Sequence, residues 1–312
     1  MRIAIDIRSL MEGRHSGVEE YTVQLIRAMV RLAPQHEFVL FCNSGSRVAV
    51  PKFGANVEIK KFNYPNKVLN ATQYLMGVPR WDKLLEADCF FAPNFRLLPM
   101  GGSVPVVVTV HDLSFERLPK LFCLRRRMWH RMMRPKKLVD GATHIIAVSE
   151  ATKADMIDLY GISEEKITVV YSGVSGRGER KQFDDGSRLE NMGKLPSKYI
   201  LFLGTLEPRK NVVSVIRAYD HIAQFIEQDL VIAGEAGWLE KEMFREIGKA
   251  KNKQRIHVIG FVKECYKGHV YRGADLFVYP SLYEGFGFPP LEAIMQEKLV
   301  ITSNNSSLPE IV

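Results

Sequence analysis

No stretch of the 312-residue chain approaches the ~20 consecutive apolar residues that a membrane-spanning helix needs. Cysteine is scarce. Cys42, Cys89, Cys123 and Cys265 are scattered, with no paired metal-ligand spacing and no close framework, and they read as reduced, mostly buried thiols. The dinucleotide fingerprint GxGxxG is missing, which leaves a nicotinamide cofactor without a motif to stand on. The opening MRIAIDIRSL reads as a charged strand and not as a signal peptide. Together these absences point to the cytoplasm.

What is present describes a globular protein able to bury a real core, with 46% hydrophobic and 25% charged residues. The length suits two domains. A net charge of +8 favours an anionic partner: nucleic acid, an acidic lipid surface or a phosphorylated substrate. No base-reading motif is found, so nucleic acid ranks last.

Strands are expected at Arg2–Ile7, Glu37–Phe41, Val57–Ile59, Cys89–Phe91, Val104–Val110, His144–Val148 and Ile167–Tyr171. Helices fit between them, near Val18–Leu32, Thr72–Leu85, Leu121–Arg134 and Glu150–Tyr160. That alternation argues for an α/β fold with a doubly wound parallel sheet, where ligands collect at the carboxyl ends of strands. Two features sit at such ends: the glycine loop closed by Gly17, and His111, directly after PVVVTV. Each also suits a purely structural role. In Leu121–Lys137, the residues Leu121, Leu124, Met128, Trp129 and Met132 form one stripe, with arginines broadly opposite. The stripe is expected to cover the sheet, leaving the basic face in water or against acidic headgroups. Pro135 should kink or end this helix.

Composition turns polar and glycine-rich after Ser172, which marks a linker at 176–197 between domains at 1–175 and 198–312. The second domain opens with the strand Tyr199–Leu203 and then GTLEPRKNV. Gly204 turns the chain, and Arg209 with Lys210 stands at a helix start running to about Phe225. Two fixed cations beside a helix N-terminus suit a diphosphate; alone, such a pair also suits a solvated surface. Strands at Leu230–Ala233, Ile256–Ile259, Asp275–Tyr279 and Leu299–Thr302 follow.

The most informative stretch is YPSLYEGFGFPPLEAI, Tyr279–Ile294. It reads as a strand end, a loop with Gly285 and Gly287, and a helix opened by Pro289 and Pro290. Such a turn presents N–H groups and the positive end of a helix to an anion. Glu284 and Glu292 bracket it, and ionised carboxylates beside an anion site suit the hydroxyls of a sugar attached to that anion. Tyr279, Tyr283, Phe286 and Phe288 suit core packing as well as contact with a base or sugar.

Glu284 and Glu292 around GFGFPPL form a Glu-x7-Glu pattern that resembles the retaining glycosyltransferases of family 4. HDLSF at His111 and EPRKN at Arg209–Lys210 are similar to two further segments of that family, in the same order. The resemblance spans nearly the whole chain. It implies a GT-B fold: two Rossmann-like domains facing each other across a cleft, here with the second domain incomplete. It implies transfer of a sugar from a nucleoside diphosphate sugar to an acceptor hydroxyl with retention, without a cofactor. Arg209 and Lys210 would neutralise the leaving diphosphate. Glu284 would hold sugar hydroxyls, assisted by N–H groups of Gly285, Phe286, Gly287 and Phe288, and Glu292 the ribose. Gly17 and Gly204 would lie near the donor, and His111 near the reacting face, with Asp112 as its orienter.

No Asp-x-Asp occurs, so the metal–diphosphate device of single-domain transferases is absent and no metal is expected. The segments tilt the expectation to GDP-mannose and to a glycan or lipid-linked acceptor in surface polysaccharide assembly, with contact at the inner face of an anionic membrane. The alternatives are an epimerase or phosphorylase on the same fold, or a basic membrane-binding fragment without turnover.

Overall fold

The computed structural model describes residues 1–12, 17–43, 51–100, 102, 104–174, 195–235, 237 and 240–312. The chain divides into two compact units, Met1–Ser172 and Gly173–Val312. Gly13 to Ser16 of the first glycine loop, and the expected linker as far as residue 194, lie outside the described residues.

In the first unit the apolar runs become β1 (Arg2–Asp6), β2 (Glu37–Asn43), β3 (Val57–Phe62), β4 (Cys89–Ala92), β5 (Val106–Val110), β6 (His144–Ala147) and β7 (Ile167–Val169). They form one sheet in the order β3-β2-β1-β4-β5-β6-β7, with every adjacent pair parallel. Parallel strands buried on both faces need side chains apolar throughout, and Ala4, Ile5, Leu40, Phe41, Val108 and Val110 are fully buried.

The second unit carries β8 (Tyr199–Leu203), β9 (Asp229–Ala233), β10 (Ile256–Gly260), β11 (Leu276–Tyr279) and β12 (Leu299–Thr302). Their order is β10-β9-β8-β11-β12, again all parallel. The order reverses between β8 and β11, so the loops leaving those two strands part to opposite sides and open a crevice at their carboxyl ends. The loop after β8 carries EPRKN and the loop after β11 carries EGFGF. The topology thus brings together two motifs that lie more than seventy residues apart, as the 74-residue separation of Lys210 and Glu284 shows.

Three local expectations need correction. The helix expected over 72–85 is two helices, Asn66–Leu75 and Trp81–Leu85, because Gly77 takes φ 67° and Pro79 follows it. The helix expected over 121–134 runs only Leu124–Met133; Arg134 turns left-handed at φ 49°, and Pro135 opens a new helix, Pro135–Gly141. All four cysteines are free, yet only Cys42 is buried. Cys123 precedes the helix Leu124–Met133 and Cys265 lies in the first turn of Glu264–Gly273, both on outward faces.

Candidate active site

The loop leaving β8 makes a short 3-10 turn at Pro208–Lys210 before the helix Val212–Ile222, with Asn211 left-handed at φ 59° between them. The basic pair therefore sits just ahead of the helix, where the turn folds its side chains back over the end of β11. Lys210 is only 7% exposed, which is rare for a lysine and demands partners. Its Nζ donates to Glu284 Oε1 at 2.6 Å and to the Tyr279 hydroxyl at 2.6 Å. Arg209 Nη1 donates to Glu284 Oε2 at 2.9 Å and to the Tyr283 carbonyl at 3.0 Å, while its Nε meets Glu207 at 2.5 Å. Leu282 N and Ser281 Oγ both donate to the Arg209 carbonyl, at 2.7 and 3.0 Å, which stitches the two loops together.

Burial pushes the Glu284 carboxyl up, but Lys210 and then Arg209 outweigh it and hold the group at about 2. Burial, reinforced by Arg209, lowers Lys210 despite the pull of Glu284 and Glu207. The Tyr279 hydroxyl is pushed well up by burial and then by the Glu284 charge, so it stays protonated. Glu284 is thus an ionised acceptor across the physiological range and unable to serve as a proton donor. Two cations and two carboxylates neutralise one another at this crevice.

The backbone of the β11 loop is braced from the segment after β12. Ser306 Oγ accepts from Glu284 N at 2.7 Å, and Ser307 Oγ donates to the Glu284 and Phe286 carbonyls at 3.0 and 2.5 Å. Gly287 takes φ 116° as the residue before the helix Phe288–Met295, and a Cβ there would come within 3.0 Å of Leu308. Pro289 and Pro290 fall in the first turn of that helix, as the motif predicts. Gly285 and Phe286 are buried in the loop, and the Phe286 and Phe288 rings pack together at 5.1 Å. Gly204 lies where a Cβ would be 3.2 Å from the Tyr279 ring; glycine lets β8 end flush against that aromatic.

Glu292 stands apart from this cluster. Its Oε2 accepts from the Tyr271 hydroxyl at 2.8 Å and its Oε1 from Lys267 at 3.4 Å, both on the helix Glu264–Gly273. Of the four charged residues singled out in the sequence, Arg209, Lys210 and Glu284 converge, whereas Glu292, on the helix Phe288–Met295, ties that helix to Glu264–Gly273.

In the first unit His111 is half-buried just after β5. Its Nε2 is 2.8 Å from the Pro93 carbonyl, so that nitrogen carries the proton, and its ring meets Tyr21 edge-on at 4.8 Å. Burial lowers its pKa, keeping the ring neutral. Asp112 is not its orienter: Asp112 Oδ1 accepts from Ser114 N at 3.0 Å and Ser114 Oγ at 2.7 Å, and so caps the turn Ser114–Arg117. Pro93 takes that role. Gly17 is exposed and begins the helix Gly17–Leu32.

Sequence reasoning missed Glu207, Ser306 and Ser307 as partners, and the hydrogen bond of Tyr279 to Lys210. Glu207 was legible as an acid two residues before a basic pair, and Ser306–Ser307 as hydroxyls ahead of Pro309 at a helix start. Among the described residues no group of three or more His, Cys, Asp or Glu side chains is placed to hold a metal, and no helix is long and apolar enough to cross a membrane.

Comparison with known proteins follows the division of the chain. Residues 15–175 match the model of Glycosyltransferase Family 4, and residues 189–312 that of Glycosyl transferases group 1. O-antigen chain mannosyltransferase B of Escherichia coli is 25% identical over 311 residues, covering 95% of this chain and 81% of that protein. Among solved structures, WaaG, a glycosyltransferase involved in lipopolysaccharide biosynthesis, superposes with a TM-score of 0.68 at 17% identity, over 99% of this chain and 83% of the other. Anabaena Alr3699/HepE in complex with UDP and glucose gives 0.63 at 19% identity, over 100% and 83%. At those identities the two structures speak for the fold alone, an α/β architecture of two Rossmann-like domains of the GT-B kind.

Proposed function

The chain belongs to glycosyltransferase family 4, and from that premise we propose that it moves a mannosyl group from GDP-mannose to a hydroxyl of a glycan or lipid-linked acceptor in surface polysaccharide assembly, with retention. The observation that carries the donor site is the convergence of Arg209 and Lys210 on Glu284 at the point where the second sheet reverses its strand order. A diphosphate entering that crevice meets two cations already desolvated, where each charge-assisted hydrogen bond is strong. It also supplies the negative charge that raises the proton affinity of Lys210, so binding and full protonation reinforce each other. Charge grows on the leaving phosphate as the glycosidic bond breaks, and the two cations stabilise that state more than the ground state.

Glu284, held ionised and fixed by two cations, is a poor nucleophile and no acid. It suits the sugar hydroxyls as an acceptor, and transfer then proceeds on the face of the leaving phosphate without a covalent enzyme intermediate. Glu292 takes the ribose hydroxyls, oriented by Tyr271 and Lys267. The mannose preference is supported by the similarity to O-antigen chain mannosyltransferase B.

A thermal-shift panel of UDP- and GDP-sugars tests the reading. GDP-mannose at a hundred times its Kd is expected to stabilise the chain by about 2.7 kcal/mol, with UDP-sugars giving less. No sugar nucleotide shifting the transition would overturn it. Product analysis separates the rival chemistries: a new α-linked glycoside is expected, against an epimer or a sugar 1-phosphate. Turnover is expected to survive EDTA, and a loss restored only by manganese would contradict a diphosphate held by side chains.

A further inference from the structure

The last residue of β11, Tyr279, is fully buried, yet it carries a hydroxyl into the charged crevice. Its ring lies in a column of aromatics. It stacks on Phe277 at 5.8 Å, two residues back on the same face of β11, and on Phe202 of β8 at 5.9 Å. Packing of that kind needs only a ring. Phenylalanine would fill the same space, so the hydroxyl is explained by what it touches and not by the core around it.

It touches the two charged groups at the centre of the site. The phenol oxygen accepts from Lys210 Nζ at 2.6 Å, and its own proton goes to Glu284. Lys210 Nζ and Glu284 Oε1 are themselves 2.6 Å apart, so the three polar groups close a triangle. A hydroxyl suits that corner because it accepts from the ammonium and donates to the carboxylate at once. Its place is set by the end of β8. A Cβ on Gly204 would come within 3.2 Å of the ring edge and 3.6 Å of the phenol oxygen. Gly204 is not left-handed, so what glycine supplies there is room for the phenol and not a special backbone.

The ionisable groups that face Lys210 are Arg209 and Glu207 from its own loop, and Glu284 and Tyr279 from β11 and the loop after it. Burial and the Arg209 charge work against a proton on Lys210, while Glu284 and Glu207 work for it. An acceptor fixed on the ammonium also favours the charged form. We propose that Tyr279 is a positioning residue of the donor site: its hydroxyl, seated by Gly204, keeps the Lys210 ammonium charged and in place for the diphosphate. The inference rests on the reading of Lys210 as a cation for that diphosphate, and adds what holds the cation charged in a buried position. Protonation of Lys210 then sets the alkaline limit of donor binding. The charged form binds phosphate, so affinity falls as pH rises through the Lys210 pKa, and loss of the phenol oxygen moves that fall to lower pH.

Calorimetric titration of GDP into the parent chain, Tyr279→Phe and Gly204→Ala, between pH 7 and 9.5, tests the proposal. GDP titrates identically in every arm, so any displacement between the affinity curves belongs to the protein. In Tyr279→Phe the alkaline limb is expected about one pH unit below that of the parent, the equivalent of one hydrogen bond to a charged group. Gly204→Ala should move it the same way by less, since the phenol is displaced and not removed. A hydroxyl that only supports the fold would instead lower affinity evenly at every pH. A parent that binds GDP, with the limb unmoved in Tyr279→Phe, would overturn the proposal and leave the donor site standing. If Tyr279→Phe does not fold, the limb in Gly204→Ala decides on the same terms. A parent that does not bind GDP would remove the proposal together with the reading it rests on.

Discussion

Lys210→Ala is expected to lower kcat/KM about a thousandfold, on the order of 4 kcal/mol of transition-state stabilisation. The lysine is buried, 2.6 Å from both Glu284 and Tyr279, at the crevice where the diphosphate is placed. Its removal takes away a desolvated donor from the leaving group and leaves Glu284 with Arg209 as its cationic partner there. Both consequences fall on the donor, so KM for GDP-mannose should rise and kcat should fall together. Lys210→Arg should recover little, because a planar guanidinium cannot reproduce a compact ammonium wedged between a carboxylate and a phenol. Steady-state kinetics with varied donor check this. Turnover unchanged in Lys210→Ala would remove the phosphate role.

The second large effect belongs to Glu284→Gln. A carboxyl lowered from 4.5 to about 2 in the folded chain corresponds to about 3 kcal/mol of stability. The sign follows from the depressed value: this contribution is fully present above pH 4.5 and is lost as pH falls towards 2. Glutamine removes it at neutral pH and leaves Lys210 and Arg209 facing an uncharged amide, so Lys210 should bind its proton still less tightly. A lysine with a depressed pKa costs stability below that value, and the cost is relieved as pH rises. The variant should therefore unfold on the order of 10 °C lower at pH 7, lose the acid slope due to this group, and gain stability towards alkaline pH. Turnover should drop about a hundredfold, since the amide also presents a donor to a sugar hydroxyl that needs an acceptor. Thermal unfolding between pH 3 and 9 reads the stability part. A variant as stable as the parent at pH 7, with the same acid limb, would show that the ion cluster contributes nothing.

Much of the fold was legible because buried parallel strands have a plain signature. Tyr199–Leu203 and Leu299–Thr302 appear with the expected bounds, and the other strands differ by a few residues at their ends. Arg209, Lys210 and Glu284 were legible as well, because each sits in a loop motif at a strand's carboxyl end. Their meeting was not a local property: it depends on β8 and β11 being neighbours at the reversal of strand order.

What escaped sequence reading was long-range or directional. Ser306 and Ser307 brace the Glu284 loop from beyond β12, 22 and 23 residues away. Glu292 finds Tyr271 and Lys267 on another helix, so its spacing from Glu284 placed it near the site without giving its partners. On the helix Leu124–Met133 the pattern showed an apolar row but not which way it faces, and Leu124, Met128 and Met132 are exposed and not laid on the sheet. Stacking of His130 on Phe115 settles that, and no periodicity contains it.

The central claim is that Arg209 and Lys210 hold the donor's diphosphate, and calorimetric titration of GDP into the parent chain and Lys210→Ala tests it most directly. The account predicts exothermic one-site binding to the parent, weakened about a hundredfold in the variant although its fold persists. Equal affinity for GDP in both chains would contradict it.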